Sequence, residues 1–141
     1  MSGDTNQVLE FELGEETYCV SIDFVTEIVD IGELTEVPNA PRHVEGVMDL
    51  RGRTTSIVNP KVVFDIDATR DPERIIVFDP EISQEEGAIG WLVDEVDQVS
   101  QIEPGNVDES PGSQQSQSIE GIVKRDGGFM IWVNPTAIKA S

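Results

Sequence analysis

The sequence predicts a mainly β protein of two small antiparallel barrel lobes sharing a core, and three observations carry that prediction. Apolar residues recur at every second position along much of the 141-residue chain, the period of a half-buried strand. Glycine interrupts the alternation at intervals that suit turns between short strands. One stretch also occurs twice: VEGVMDLRGRTTSIVNP at 44–60 aligns without a gap on IEGIVKRDGGFMIWVNP at 119–135. The two copies share Glu45/Glu120, Gly46/Gly121, Gly52/Gly127, Val58/Val133, Asn59/Asn134 and Pro60/Pro135.

In VLEFEL, residues 8–13, Val8, Glu10 and Glu12 alternate with Leu9, Phe11 and Leu13. Gly14-Glu15 turns the chain, and TYCVSI places Tyr18, Val20 and Ile22 on one face, which completes a hairpin. VTEIVDI at 25–31 is a further strand, followed by a loop with Pro38, Asn39 and Pro41. VEGVMDL and TTSIVNP then flank a turn at Arg51-Gly52-Arg53. Asn59 as cap and Pro60 in the first turn predict a short helix over Lys61–Phe64. The second half repeats the outline. RIIVFD (74–79) and AIGWLVDEV (88–96) flank the acidic connection PEISQEEG, and QVSQIEP follows. GNVDESPGSQQSQS reads as a polar surface loop. The repeated hairpin turns at Gly127-Gly128, and a second short helix starts after Asn134. Val25-Thr26-Glu27-Ile28 parallels Val93-Asp94-Glu95-Val96, while Gly46 and Gly121, inside strand patterns, mark bulges or close backbone approach. With about five strands per half, one lobe is expected at roughly 14–66 and the other at roughly 74–139, the strand at 8–13 being free to join the second.

Charge narrows the partners. Asp and Glu number 28 against nine Lys and Arg, a net charge of −19. Such a field repels nucleic-acid phosphates and anionic membrane surfaces, so neither is expected as a partner. The acids are spread along the chain, which suits a salt-loving cell, since at molar salt the Debye length is about 3 Å and surface repulsion is screened. An acidic patch facing a basic partner is the competing explanation. No apolar run approaches the roughly 18 residues that span a bilayer, and MSGDTNQ lacks the blocks of a secretory signal. Cys19 is alone, so no intrachain disulfide is expected and a reducing cytoplasm fits. It reads as a small core or strand residue.

Catalytic chemistry finds little to work with. His43 is the only histidine, too few for a usual zinc site, and nothing orients it toward Cys19 as a nucleophile–base pair. No nucleophile elbow, phosphate loop or dinucleotide fingerprint occurs. The chain is expected to be no enzyme and to need no cofactor. Asp49, Asp65 and Asp67 raise a cation site, but their spacing is not that of a calcium loop and a solvated acidic face explains them. A cation- or small-ligand-binding barrel remains the alternative function. What stands out is a contrast between the repeats. Arg42, Arg51, Arg53 and Lys61 lie within twenty positions, and where the first copy has Arg51 the second has Asp126. Arg51 is suited either to bidentate contact with a partner or to an internal salt bridge, to Glu27 or Asp49, that holds the lobes in register.

Taken together, LGEETYCVSIDFVTEI, VPNAPRHVEGVMDLRG and GWLVDEVDQV resemble the CheW family, the coupling proteins of chemotaxis arrays. The likeness runs over residues 8–139 in the family's order, and Pro38–Gly52 is its most specific part. The resemblance implies two SH3-like barrels and a non-catalytic adaptor. Its implied partners are the cytoplasmic tips of methyl-accepting chemotaxis receptors and the regulatory domain of the CheA histidine kinase. It implies partner-binding positions at Val25, Glu27, Ile28, Gly46, Arg51 and Gly52, with Arg51 foremost, and an apolar groove between the lobes for a helical receptor segment. It places the protein in the cytoplasm, recruited to receptor arrays, and with the acid surplus it implies a halophilic archaeal source. Glu45, His43, Asp49, Ser56 and the pair Asn59-Pro60 depart from the family's usual residues.

Overall fold

The computed structural model describes residues 6–83, 87–108 and 118–138. Most of the polar loop read at 105–118 lies outside them. The strands are β1 Asn6–Leu13, β2 Glu16–Ser21, β3 Val25–Asp30, β4 Val44–Leu50, β5 Arg53–Val58, β6 Arg74–Phe78, β7 Ala88–Val93, β8 Glu95–Ile102, β9 Val107–Asp108, β10 Ile119–Arg125 and β11 Gly128–Val133. They form a six-stranded sheet in the order β8-β1-β2-β11-β10-β9 and a five-stranded sheet in the order β3-β6-β7-β5-β4. The mainly β, two-lobe expectation holds, with one parallel pair in each lobe, β2 with β11 and β5 with β7, where antiparallel pairing throughout was expected.

The lobes are cut from the chain differently from the sequence division at 14–66 and 74–139. The strand at 8–13 does join the second half of the chain, but β2 goes with it, while β6 and β7 join the lobe of the first half. Each repeat thus gives its leading hairpin to the other lobe. The crossings are short: a 3-10 turn at Ile22–Phe24 joins β2 to β3, and Asp94 alone separates β7 from β8.

This exchange explains the burial pattern. A hairpin lying between its own barrel and the opposite lobe is covered on both faces, so β7 is buried at all six positions and β6 at all but Arg74. One barrel interior holds Met48, Ile57, Ile75, Val77, Ala88 and Leu92, and the other Val8, Cys19, Ile102, Val123 and Met130. Between them lies the largest cluster, with Leu9, Phe11, Tyr18, Val58, Phe78, Trp91 and Val133 among its members. Trp91 is fully buried there and meets Phe11, Phe64 and Phe78 edge-on, with ring centroids 6.2, 6.2 and 5.1 Å away. Cys19 is a core residue, and burial first, then the neighbouring Glu10 carboxylate, pushes its thiol up to about 12.

The repeated residues do what their types suggest. Asn59 accepts from Lys61 N at 3.0 Å and caps α1, Pro60–Val63, whereas Asn134 accepts from Thr136 N at 3.1 Å over a 3-10 turn, Pro135–Ala137. Gly46 and Gly121 each sit at a register shift beside a crossing segment: Thr35, which exchanges two 2.9 Å backbone bonds with Val47, and β9, which pairs with β10. The parallel drawn between 25–28 and 93–96 shifts by three residues. Val25 pairs with Phe78 and Ile28 with Ile76, and in the same positions of the other lobe Val96 pairs with Phe11 and Val99 with Leu9. A bulge interrupts both edge strands at this point, so VTEI corresponds to VDQV at 96–99.

The charged side chains of Glu10 and Lys61 are buried. Lys61 Nζ lies 2.8 Å from Asp94 Oδ1, with side-chain exposures of 5% and 0%, and donates also to Arg70 O at 2.8 Å. Asp94 Oδ2 accepts from Gly14 N at 2.7 Å. Every strong group of this pair has a partner, as burial demands. It ties α1 to the crossing between β7 and β8 and to the β1–β2 turn. Glu10 accepts from Ser100 Oγ at 2.6 Å and Arg125 Nη1 at 3.0 Å.

Candidate partner-binding site

The β4–β5 hairpin turns in two residues, Arg51 at φ 54° and Gly52 at φ 81°, with Leu50 paired to Arg53. Two left-handed residues match the twist of the flanking strands, and Gly52 takes this conformation without steric cost. The turn aims Arg51 at β3, where its Nη1 donates to Glu27 Oε2 at 2.6 Å. That hydrogen bond, with the guanidinium charge, holds the Glu27 carboxyl below its ordinary range against the opposing effect of burial. The Arg51 side chain is 70% exposed, so the pair contributes little to stability. It is the internal salt bridge foreseen for Arg51, but it lies within one lobe and does not register the two lobes against each other.

Beside the pair is a cleft of about 330 Å³. Leu50, Val77, Phe78 and Ala88 form its apolar wall, Pro80 at the start of α2, Pro80–Ser83, closes one side, and Glu27, Arg51 and Arg53 stand around it. A larger cleft of about 530 Å³ on the same lobe is lined by Thr35, Val47 and Leu50 among others. Leu50 borders both.

The six residues expected at the site divide between these features. Glu27, Arg51 and Gly52 come together at the hairpin tip. Ile28, 40% exposed, follows on β3. Val25 is half-buried and packs on the shared core, so its side chain serves the fold. Gly46 lies away from the tip, pressed against Thr35 and Glu36. Of the four clustered basic residues, Lys61 is removed by burial, and Arg42 does not line the cleft. Thr26, whose Oγ1 donates to Val77 O at 3.1 Å, and Pro80 were not foreseen at the cleft. The strand pattern gave no sign that the start of β3 and the end of β6 would frame an opening.

The corresponding surface of the other lobe carries different chemistry. Gln98 takes the place of Glu27 in the strand register, and Asp126 that of Arg51 at the hairpin tip. Val99 is 49% exposed and Phe129 60%.

On that lobe the ligand atoms of Glu12, Glu95 and Asp97 lie within 4.8 Å of one another, the one such acidic group among the described residues. Asp49, Asp65 and Asp67, which the sequence assigns to a solvated acidic face, do not belong to it. Arg70 already serves two of its members, Glu12 at 2.7 Å and Glu95 at 3.1 Å. Desolvation first, then the neighbouring carboxylates, raises Asp97 to about 6. A carboxyl raised on folding favours the folded state below its unfolded value near 3.8, and that contribution is lost as pH rises through 6. Asp97→Asn is therefore expected to stabilise the protein at pH 7 by under about 1 kcal/mol, the charge being largely exposed and solvent-screened. Paired melts at pH 7 and pH 4 check this, and the gain should fade at pH 4 and in molar potassium chloride.

No helix among the described residues is long and apolar enough to cross a membrane. The profile of the CheW-like domain matches residues 7–141. The chain is 28% identical over 129 residues to the chemotaxis protein CheW of Thermotoga maritima, covering 91% of this chain and 83% of that one. It is 27% identical over 130 residues to CheW of Treponema pallidum, covering 89% and 76%. Among solved structures, the scaffolding protein TtCheW from Thermoanaerobacter tengcongensis superposes with a TM-score of 0.78 at 27% identity, covering 92% of this chain and 88% of that one.

Proposed function

The chain belongs to the CheW-like family, and from that premise we propose that it is a chemotaxis adaptor that couples methyl-accepting receptors to the CheA histidine kinase. It works by protein–protein binding and carries out no reaction. Its place is the cytoplasm, where it is recruited to receptor arrays. The observation that carries this reading is the pair of unlike faces on one fused body. One hairpin tip bears Arg51, paired to Glu27 over an apolar cleft, and the tip at the same position of the other lobe bears Asp126. A body with two different faces can hold two partners at once. The positions assigned to binding are Val25, Glu27, Ile28, Gly46, Arg51 and Gly52, with Val25 and Gly46 acting through the shape of the backbone around them.

Mixing the protein with the regulatory domain of the kinase from the same cell tests the proposal. A complex is expected by sedimentation in molar salt with a dissociation constant near micromolar, about −8 kcal/mol. Arg51→Ala should weaken it about tenfold, near 1.4 kcal/mol, and leave the melting temperature nearly unchanged, since the ion pair it removes is exposed. No complex well above micromolar concentration defeats the reading. A saturable calorimetric response to calcium or magnesium in its place favours a cation-binding barrel. The net charge of −19 supports a halophilic archaeal source as part of the same proposal.

A further inference from the structure

Six of the eight basic side chains among the described residues are ion-paired: Arg51, Lys61, Arg70, Arg74, Lys124 and Arg125. Arg42 and Arg53 are not. In a chain with 28 acids, an arginine with no carboxylate is out of keeping with its surroundings. Arg53 is exposed and stands at the apolar cleft beside Arg51, whose charge Glu27 already neutralises. The open positive charge at the cleft is therefore that of Arg53, not of Arg51. The cleft, at about 330 Å³, is at the small end for binding pockets and suits one or two side chains. A guanidinium fork next to an apolar wall selects a carboxylate beside a bulky apolar side chain.

We propose that Arg53 is a specificity-determining residue of the adaptor. It receives a carboxylate from the kinase regulatory domain, while an adjacent apolar side chain of that domain enters the cleft walled by Leu50, Val77, Phe78 and Ala88. This rests on the adaptor reading above and adds the chemistry of the occupant. Charge complementarity argues for an acidic segment of the kinase domain as the occupant, since Arg53 is the cation at the cleft with no carboxylate of its own. The tip of this chain's own second hairpin, with Asp126 and the 60%-exposed Phe129, makes a second copy the rival occupant.

The test compares wild type, Arg53→Gln, Arg53→Glu and the control Arg42→Glu, the other unpaired arginine. Binding to the kinase regulatory domain is measured by calorimetry at the lowest salt that keeps the protein folded and again in molar potassium chloride. Arg53→Gln is expected to weaken the complex about fivefold and Arg53→Glu at least tenfold, with unchanged melting and a smaller loss at high salt, while Arg42→Glu stays within twofold of wild type. Wild-type binding with Arg53→Glu no weaker than Arg42→Glu overturns the inference and leaves the adaptor reading standing. Failure of the wild type to bind overturns both. Self-association of the protein alone that Arg53→Glu abolishes, with kinase binding intact, replaces the kinase by a second copy and also overturns the proposal.

Discussion

Lys61→Met is expected to destabilise the protein by about 3–5 kcal/mol, as removing one partner of a buried ion pair does. The loss does not come mainly from the missing attraction. Met fills much of the space of the lysine stem, but Asp94 keeps a charge at 0% side-chain exposure with only Gly14 N left to satisfy it. The carbonyl of Arg70 loses its donor as well. Denaturant unfolding at pH 7 reads the change directly. Asp94→Asn in the Lys61→Met background should restore stability relative to Lys61→Met alone, because the amide still offers an acceptor to Gly14 without the charge. If Lys61→Met costs under about 1 kcal/mol, water reaches the pair and the buried tie between α1 and the β7–β8 crossing is not what the geometry indicates.

Gly46→Ala is expected to cost about 3 kcal/mol, from a backbone conformation that side chains avoid together with overpacking. Its φ is 153°, and a methyl group would be driven into the carbonyl oxygen and carbon of Thr35. Those are backbone atoms, held by the two bonds between Thr35 and Val47, so they cannot swing aside as a side-chain end would. Gly121→Ala, its repeat partner, should cost less. Its φ is not in the left-handed range, and the nearest atom, Asp108 O, is 2.9 Å from the added carbon, on a strand of only two residues. Chemical denaturation of the two variants side by side isolates the difference. Because Gly46 was expected at the binding surface, kinase affinity should be measured at a temperature where the variant is still folded. Affinity that recovers under those conditions makes Gly46 a residue of shape, not of contact.

Much of the fold is legible in the sequence. Period-two alternation locates the strands, and the doubled VNP marks two capped turns whose asparagines accept the expected bonds. Pairing is a different matter. The β6–β7 hairpin is apolar on both faces, so its pattern fits either lobe, and nothing local reveals that each leading hairpin has crossed to the other side. The internal repeat of the edge strands lies three residues beyond the motif match, because Val93-Asp94-Glu95-Val96 resembles VTEI in sequence while VDQV at 96–99 occupies its place in the ladder. Buried charges were the other blind spot. Glu10 alternates with apolar neighbours as a surface acid would, yet its face turns into a barrel where Ser100 and Arg125 meet it. A signal did exist for Asp94, an acid set directly after the apolar run AIGWLV, but its lysine lies thirty-three residues away. At the candidate site, the Glu27–Arg51 contact was foreseen as one of two options, whereas the cleft beside it depends on how β3, β6 and α2 converge.

The crossed hairpins carry a mechanical consequence. Neither half of the chain owns a complete lobe, and the links between lobes are as short as one residue, so there is no slack tether about which one lobe could swing. Melting one lobe uncovers the core it shares with its neighbour, and the molecule should lose its structure in a single step. A force on one end is felt at the other through the shared core and the short crossings, which would make this small protein a stiff spacer, holding what it joins at a fixed distance and angle.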